Sequence, residues 1–194
     1  MESMEPIVHQ HKLFENLNYS GKALKNREFE KCSFKACDFS SSDFSGNRFT
    51  DCTFTGCNMG LMKLNQTTMD GIFFQECKLI GVNFNDCADL LFSVRFENCL
   101  LDYASFVSKK MSKASFKNSS LKSAIFSNAT LNKAIFDNTD LQGAVFNRTN
   151  LQEANFITAY NFTIDPELNM VKRAKFSQQS LPGLLAKYDL QVSQ

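Results

Sequence analysis

The sequence predicts an all-β solenoid, a chain that turns a corner every five residues so that each repeat is one short side of a closed coil. From Lys113 the chain reads as nine consecutive five-residue lines, KASFK, NSSLK, SAIFS, NATLN, KAIFD, NTDLQ, GAVFN, RTNLQ and EANFI. The fourth residue of each is large and apolar: Phe116, Leu121, Phe126, Leu131, Phe136, Leu141, Phe146, Leu151 and Phe156. Two residues earlier stands a small one, as at Ala114, Ser119, Ala124, Thr139 and Ala154. A fixed internal period of this kind marks a repeat architecture before any single residue is considered.

A period of five excludes the ordinary elements. At about 100° per residue, a helix would rotate successive large residues by roughly 140° and smear them around every face. A strand would send alternate repeats to opposite sides. The pattern is buried only if each repeat is one short side of a closed coil, with the large centre and the small residue two before it both pointing inward. Phe96, Phe106, Phe116, Phe126, Phe136, Phe146 and Phe156 are therefore the expected core.

Taken in order, residues 1–13 show no repeat and are expected to form an N-terminal tail; His9 and His11 lie there without a third metal ligand. The repeat domain is expected over 14–159. Its centres run Phe14, Tyr19, Leu24, Phe29, Phe34 and onward to Phe84. Lys12, Lys22 and Arg27 occupy the small inward position of the first repeats, so the opening coil reads as frayed or as a polar cap, which solenoids need at their ends. After Phe84 the count slips by two residues within 85–90, and centres resume at Leu91, Phe96, Leu101, Phe106 and Met111. Asp86, Cys87 and Asp89 lie in that slip and form the candidate partner-binding irregularity; a harmless insertion is the alternative.

From Tyr160 the character changes, and 160–194 is expected to be a capping or dimerisation segment. Ser180 can cap a short helix over 181–188, with Pro182 near its start where proline is tolerated. Leu181, Leu184, Leu185 and Tyr188 would then share one side, with Leu190 just beyond, as a dimer interface.

The 194 residues suit one domain, with 43% hydrophobic content, net charge +1, and twenty Phe against no Trp. No apolar run approaches the ~20 residues of a membrane span, and the start MESMEPIVHQHK lacks a signal-peptide pattern, so a cytoplasmic location is expected. Of seven cysteines, Cys32, Cys37, Cys52, Cys57, Cys77 and Cys99 stand at the small inward position, and Cys87 is read as the exception. They read as small core residues, and no metal or cofactor is expected. No nucleophile, histidine and acid arrangement is available, so no catalysis is expected.

These lines resemble the pentapeptide-repeat family, A-(D/N)-L-x-x. The resemblance implies a right-handed quadrilateral β-helix with four repeats per turn. A repeat rod of this length ending in a short Leu-rich helix looks like the topoisomerase-protecting members, the Qnr group and the microcin B17 immunity protein among them. That resemblance implies a homodimer through the C-terminal segment, a rod resembling B-form DNA, and binding to DNA gyrase or topoisomerase IV, without direct nucleic-acid binding. Charge departs from a uniformly acidic rod. Residues 28–102 carry eleven acidic and six basic side chains, a balance of −5, and residues 103–175 carry five and ten, a balance of +5. A scaffold with an unrelated protein partner is the second reading.

Overall fold

Corners set the architecture. The residue two beyond most large centres takes a left-handed conformation, as at Asn16 (φ 55), Lys31 (φ 50), Asn98 (φ 54), Lys113 (φ 65), Asn128 (φ 60) and Arg173 (φ 61). This conformation costs an L-residue roughly 1–2 kcal/mol. No left-handed residue among those described is β-branched. Thr158 holds the same repeat position but is not left-handed; its hydroxyl accepts from the Asn138 backbone N–H and donates to Asp137. Each corner redirects the chain, so a side is only three or four extended residues long.

The computed structural model, which describes residues 5–190, is a right-handed, four-sided parallel β-helix of about eight turns. One four-stranded sheet stacks β1 (Ile7–Gln10), β3 (Arg27–Glu30), β5 (Arg48–Thr50) and β7 (Thr68–Asp70) in that order. The next side stacks β2 (Leu13–Glu15), β4 (Ser33–Lys35), β6 (Thr53–Thr55), β8 (Ile72–Gln75), β9 (Val94–Glu97) and β10 (Ser115–Lys117), and further up β11 (Asn155–Phe156) pairs with β12 (Lys175–Phe176). The register steps by one turn of twenty residues, as in Phe14↔Phe34 and Phe96↔Phe116, but by twenty-two across the slip, Phe74↔Phe96. Four five-residue sides make that turn.

Stacking fills the axis. Phe34, Phe54, Phe74, Phe96, Phe116, Phe136 and Phe156 form one column in which neighbouring rings lie 4.6–5.3 Å apart and nearly parallel. Phe84, Phe106, Phe126 and Phe146 form a second at 4.7–5.2 Å. Rings on different sides meet edge to face, such as Phe116 and Phe126 at 5.7 Å and 80°. The seven phenylalanines expected in the core are all buried.

Both ends depart from the expected boundaries. The first coil begins before residue 14, because β1 pairs in parallel with β3 and His9 takes the inward place, its ring stacked 4.9 Å from Phe29. At the other end coiling continues past residue 159. Tyr160 bridges Asp140, Met170 bridges Asn150, and β12 extends the ladder to Phe176, with Phe162, Ile164 and Asn169 buried beyond the expected end of the repeats. The helix α1 (Pro182–Leu185) is shorter than expected and continues as a 3-10 turn, Ala186–Tyr188. Ser180 does not cap it; its Oγ donates to the Ser177 carbonyl at 2.9 Å, and Leu181 stands at the cap position. Residues 1–4 and 191–194 of the two terminal segments lie outside the described residues. No described helix is long and apolar enough to cross a membrane.

Candidate functional site

Chemistry on this fold has to be sought outside the lumen, and the inward polar residues show why. Most small inward residues that can donate a hydrogen bond do so to a backbone carbonyl of the coil below, while Ser42 and Ser119 donate within their own coil, to Phe39 O and Lys117 O. Cys57 Sγ donates to Phe34 O at 3.5 Å, Cys77 to Phe54 O at 3.3 Å and Cys99 to Phe74 O at 3.4 Å. Thr149 Oγ1 does the same to Phe126 O at 2.9 Å, Asn169 Nδ2 to Phe146 O at 3.0 Å, and Thr139 Oγ1 to Phe116 O. Cysteine, threonine and asparagine are thus interchangeable rungs. All seven cysteines are buried, and burial pushes the Cys52 and Cys87 thiols up to about 12, where they stay protonated and unreactive. Among the described residues no group of three His, Cys, Asp or Glu is placed to hold a metal ion.

The slip interrupts the wall between Phe84 and Val94, and it differs from the sequence reading. Cys87 is not outside the pattern: it is buried and keeps the upstream inward position, with Ala88 N–H still bonded to Thr67 O at 3.0 Å. The extra residues are absorbed after it, over 89–92 rather than 85–90. Leu91, expected as a centre, is 56% exposed in a left-handed conformation, and Phe92 turns in instead, 6.2 Å edge to face with Phe84. Two surplus residues let the chain choose its plug, and the larger ring fills the lumen better than leucine.

The gap left beside Phe92 is filled from the coil above by Lys109, which the sequence reading passed over. Lys109 stands at a small inward position and is 1% exposed. Its ammonium donates to Cys87 O at 2.5 Å and to Asp89 Oδ1 at 2.8 Å and lies 5.1 Å from the Phe92 ring centroid. Hydrogen bonding to that ammonium, and its charge, lower the Asp89 carboxyl below its ordinary value. Of the predicted trio, Cys87 and Asp89 therefore meet around Lys109, while Asp86 is exposed and accepts from Asn83 Nδ2 at 3.0 Å. A lysine in a column of small residues was the signal available in the sequence.

The C-terminal segment is fastened to the last coil. Gly183 lies where a Cβ would clash with the Phe162 carbonyl oxygen, and Ile164 N–H donates to Gly183 O at 3.0 Å. Lys187 Nζ bridges Asp165 at 2.8 Å and Glu167 at 2.5 Å, and Tyr188 Oη donates to Glu167 at 2.9 Å. This docking splits the expected apolar stripe. Leu184 turns inward against the core, while Leu181, Leu185, Tyr188 and Leu190 remain exposed at 44%, 38%, 52% and 59%.

Two family descriptions match this repeat: "Pentapeptide repeat region" over residues 27–106, and "Pentapeptide repeats (8 copies)" over 110–138 and 124–159. The chain belongs to the pentapeptide-repeat family. No curated protein matches the sequence. Among solved structures, a trypsin-treated variant of QnrB1, described as a plasmid-mediated fluoroquinolone resistance protein, superposes with a TM-score of 0.64 at 16% identity, covering 97% of this chain and 99% of that one. Full-length QnrB1 gives 0.62 at 16% identity, covering 94% and 100%. A second trypsin-treated variant gives 0.55 at 18%, covering 98% and 100%. At these identities the likeness establishes a shared fold.

Proposed function

We propose that this pentapeptide-repeat chain is a non-catalytic binding protein of the cytoplasm that engages DNA gyrase or topoisomerase IV and protects it from a quinolone or a peptide toxin. The observation that carries this reading is the end-to-end correspondence with QnrB1, in which 97% of this chain matches 99% of a fluoroquinolone resistance protein. The charge of residues 28–102, −5, supports it further, because an acidic rod suits a basic DNA-binding surface and electrostatics drives such encounters. With purified protein, gyrase supercoiling in the presence of ciprofloxacin or microcin B17 is expected to recover at micromolar concentration. No recovery, together with no inhibition of the uninhibited enzyme, ends the reading.

The working unit is a homodimer joined through the C-terminal segment, where Leu181, Leu185, Tyr188 and Leu190 leave an apolar cluster exposed on a docked element. Leu181→Asp with Leu185→Asp is expected to halve the mass measured by light scattering without altering the circular dichroism spectrum; unchanged mass removes this interface. The basic half, +5 over residues 103–175, favours a second reading, a scaffold for an unrelated protein. A pulldown dominated by one protein other than a topoisomerase supports that reading.

A further inference from the structure

The cations of the second half are not spread evenly around the rod. Bridges Lys110↔Thr130, Thr130↔Asn150 and Asn150↔Met170 place the residues flanking Met111, Leu131 and Leu151 on one wall, and the Lys113, Lys133, Glu153 and Arg173 corners stand above one another along its edge. This wall carries Lys110, Lys113, Lys133, Lys172 and Arg173, all exposed. Its one carboxylate, Glu153, lies 3.6 Å from Lys133. Among the described residues the other four cations form no ion pair.

The slip adds a foot to this wall. Among the described residues no backbone hydrogen bond joins 88–92 to 108–112, where neighbouring coils are otherwise laddered. The opening is a groove of about 450 Å³ whose lining includes Ser93, Arg95, Lys110, Ser112 and Lys113. Arg95 lies over the Phe73 ring at 5.3 Å and, among the described residues, has no carboxylate on its guanidinium. Asp89, the nearby acid, is engaged by Lys109.

We propose that this wall, from the groove at Arg95 up to Arg173, binds the phosphate backbone of double-stranded DNA without reading its sequence. Thr130, Asn132, Asn150 and Gln152 stand between the cations, and these are the side-chain types that join Lys and Arg in phosphate contacts. No exposed aromatic ring stands among them, so the wall lacks the stacking platform that single strands use. An acidic peptide is less suited, because in the middle of the wall, at Thr130 and Asn150, the chain is bridged to the coils on both sides and offers no edge for strand addition there. The inference is independent of the topoisomerase reading, and it departs from the expectation that the chain makes no direct nucleic-acid contact, which took no account of where the cations cluster.

Fluorescence anisotropy of a short labelled duplex of arbitrary sequence, titrated with the full chain and no topoisomerase, tests it. Five phosphate contacts give a slope of log K against log salt of about −4.5, a loss of affinity of about 500-fold between about 50 and 200 mM salt. Lys110→Gln and Arg173→Gln are each expected to reduce that slope by about 1. Lys63→Gln and Lys78→Gln, which remove the same charge from exposed positions in the other half, are expected to leave it unchanged. No binding at low salt, equal slopes in both pairs of variants, or tighter binding to polyglutamate than to the duplex would overturn the proposal.

Discussion

Phe126→Asp is expected to yield no soluble folded protein, whereas Ile125→Asp, one residue earlier, is expected to fold. Phe126 is fully buried, with its ring 5.2 Å from Phe106 and 5.1 Å from Phe146 in the column. Emptying such a site costs about 3–5 kcal/mol, and a buried carboxylate without a partner adds several more. Together these consume most of the roughly 5–15 kcal/mol that stabilises a domain. Ile125 is as apolar as its neighbour but 38% exposed, on a wall where Val145 above it is 44% exposed. The pair therefore separates position from hydrophobicity. Soluble yield and far-UV circular dichroism decide it, and equal behaviour of the two variants contradicts the geometry.

Lys109→Ala is expected to destabilise the rod by about 3 kcal/mol, the combined effect of an emptied lumen position and a buried carbonyl without its donor. Asp89→Ala is expected to stay within about 1 kcal/mol, because Asp89 is 81% exposed and a solvent-facing ion pair is screened. Lys109→Met keeps most of the stem and loses only the donor, so it should fall between the two. Urea unfolding midpoints order the three. If Asp89→Ala costs as much as Lys109→Ala, the ion pair rather than the Cys87 carbonyl holds the slip together.

These two residues also mark how far the sequence can be read. Phe126 is placed by counting alone, since a repeated period leaves one way to bury it. Lys109 is in the same register, but the count identifies a position and not what a long side chain does there. Its role follows from Phe92 displacing Leu91, and three consecutive apolar residues, Leu90, Leu91 and Phe92, give a period of five no means of choosing among them. The first coil was missed for a related reason: His9 and Arg27 replace apolar and small residues, yet His9 stacks as a plug would. The exposed leucines after Leu181 were legible as a group, while the inward turn of Leu184 depends on Gly183 approaching Phe162, which no local pattern encodes.

The twenty-residue register has an architectural consequence. Each coil touches only the coils before and after it, so the molecule behaves as a one-dimensional lattice, and its length can change in whole units without redesigning any remaining unit. Excising one complete turn brings like against like and shortens the axis by about 4.8 Å. Any other deletion or insertion has to be absorbed where it occurs.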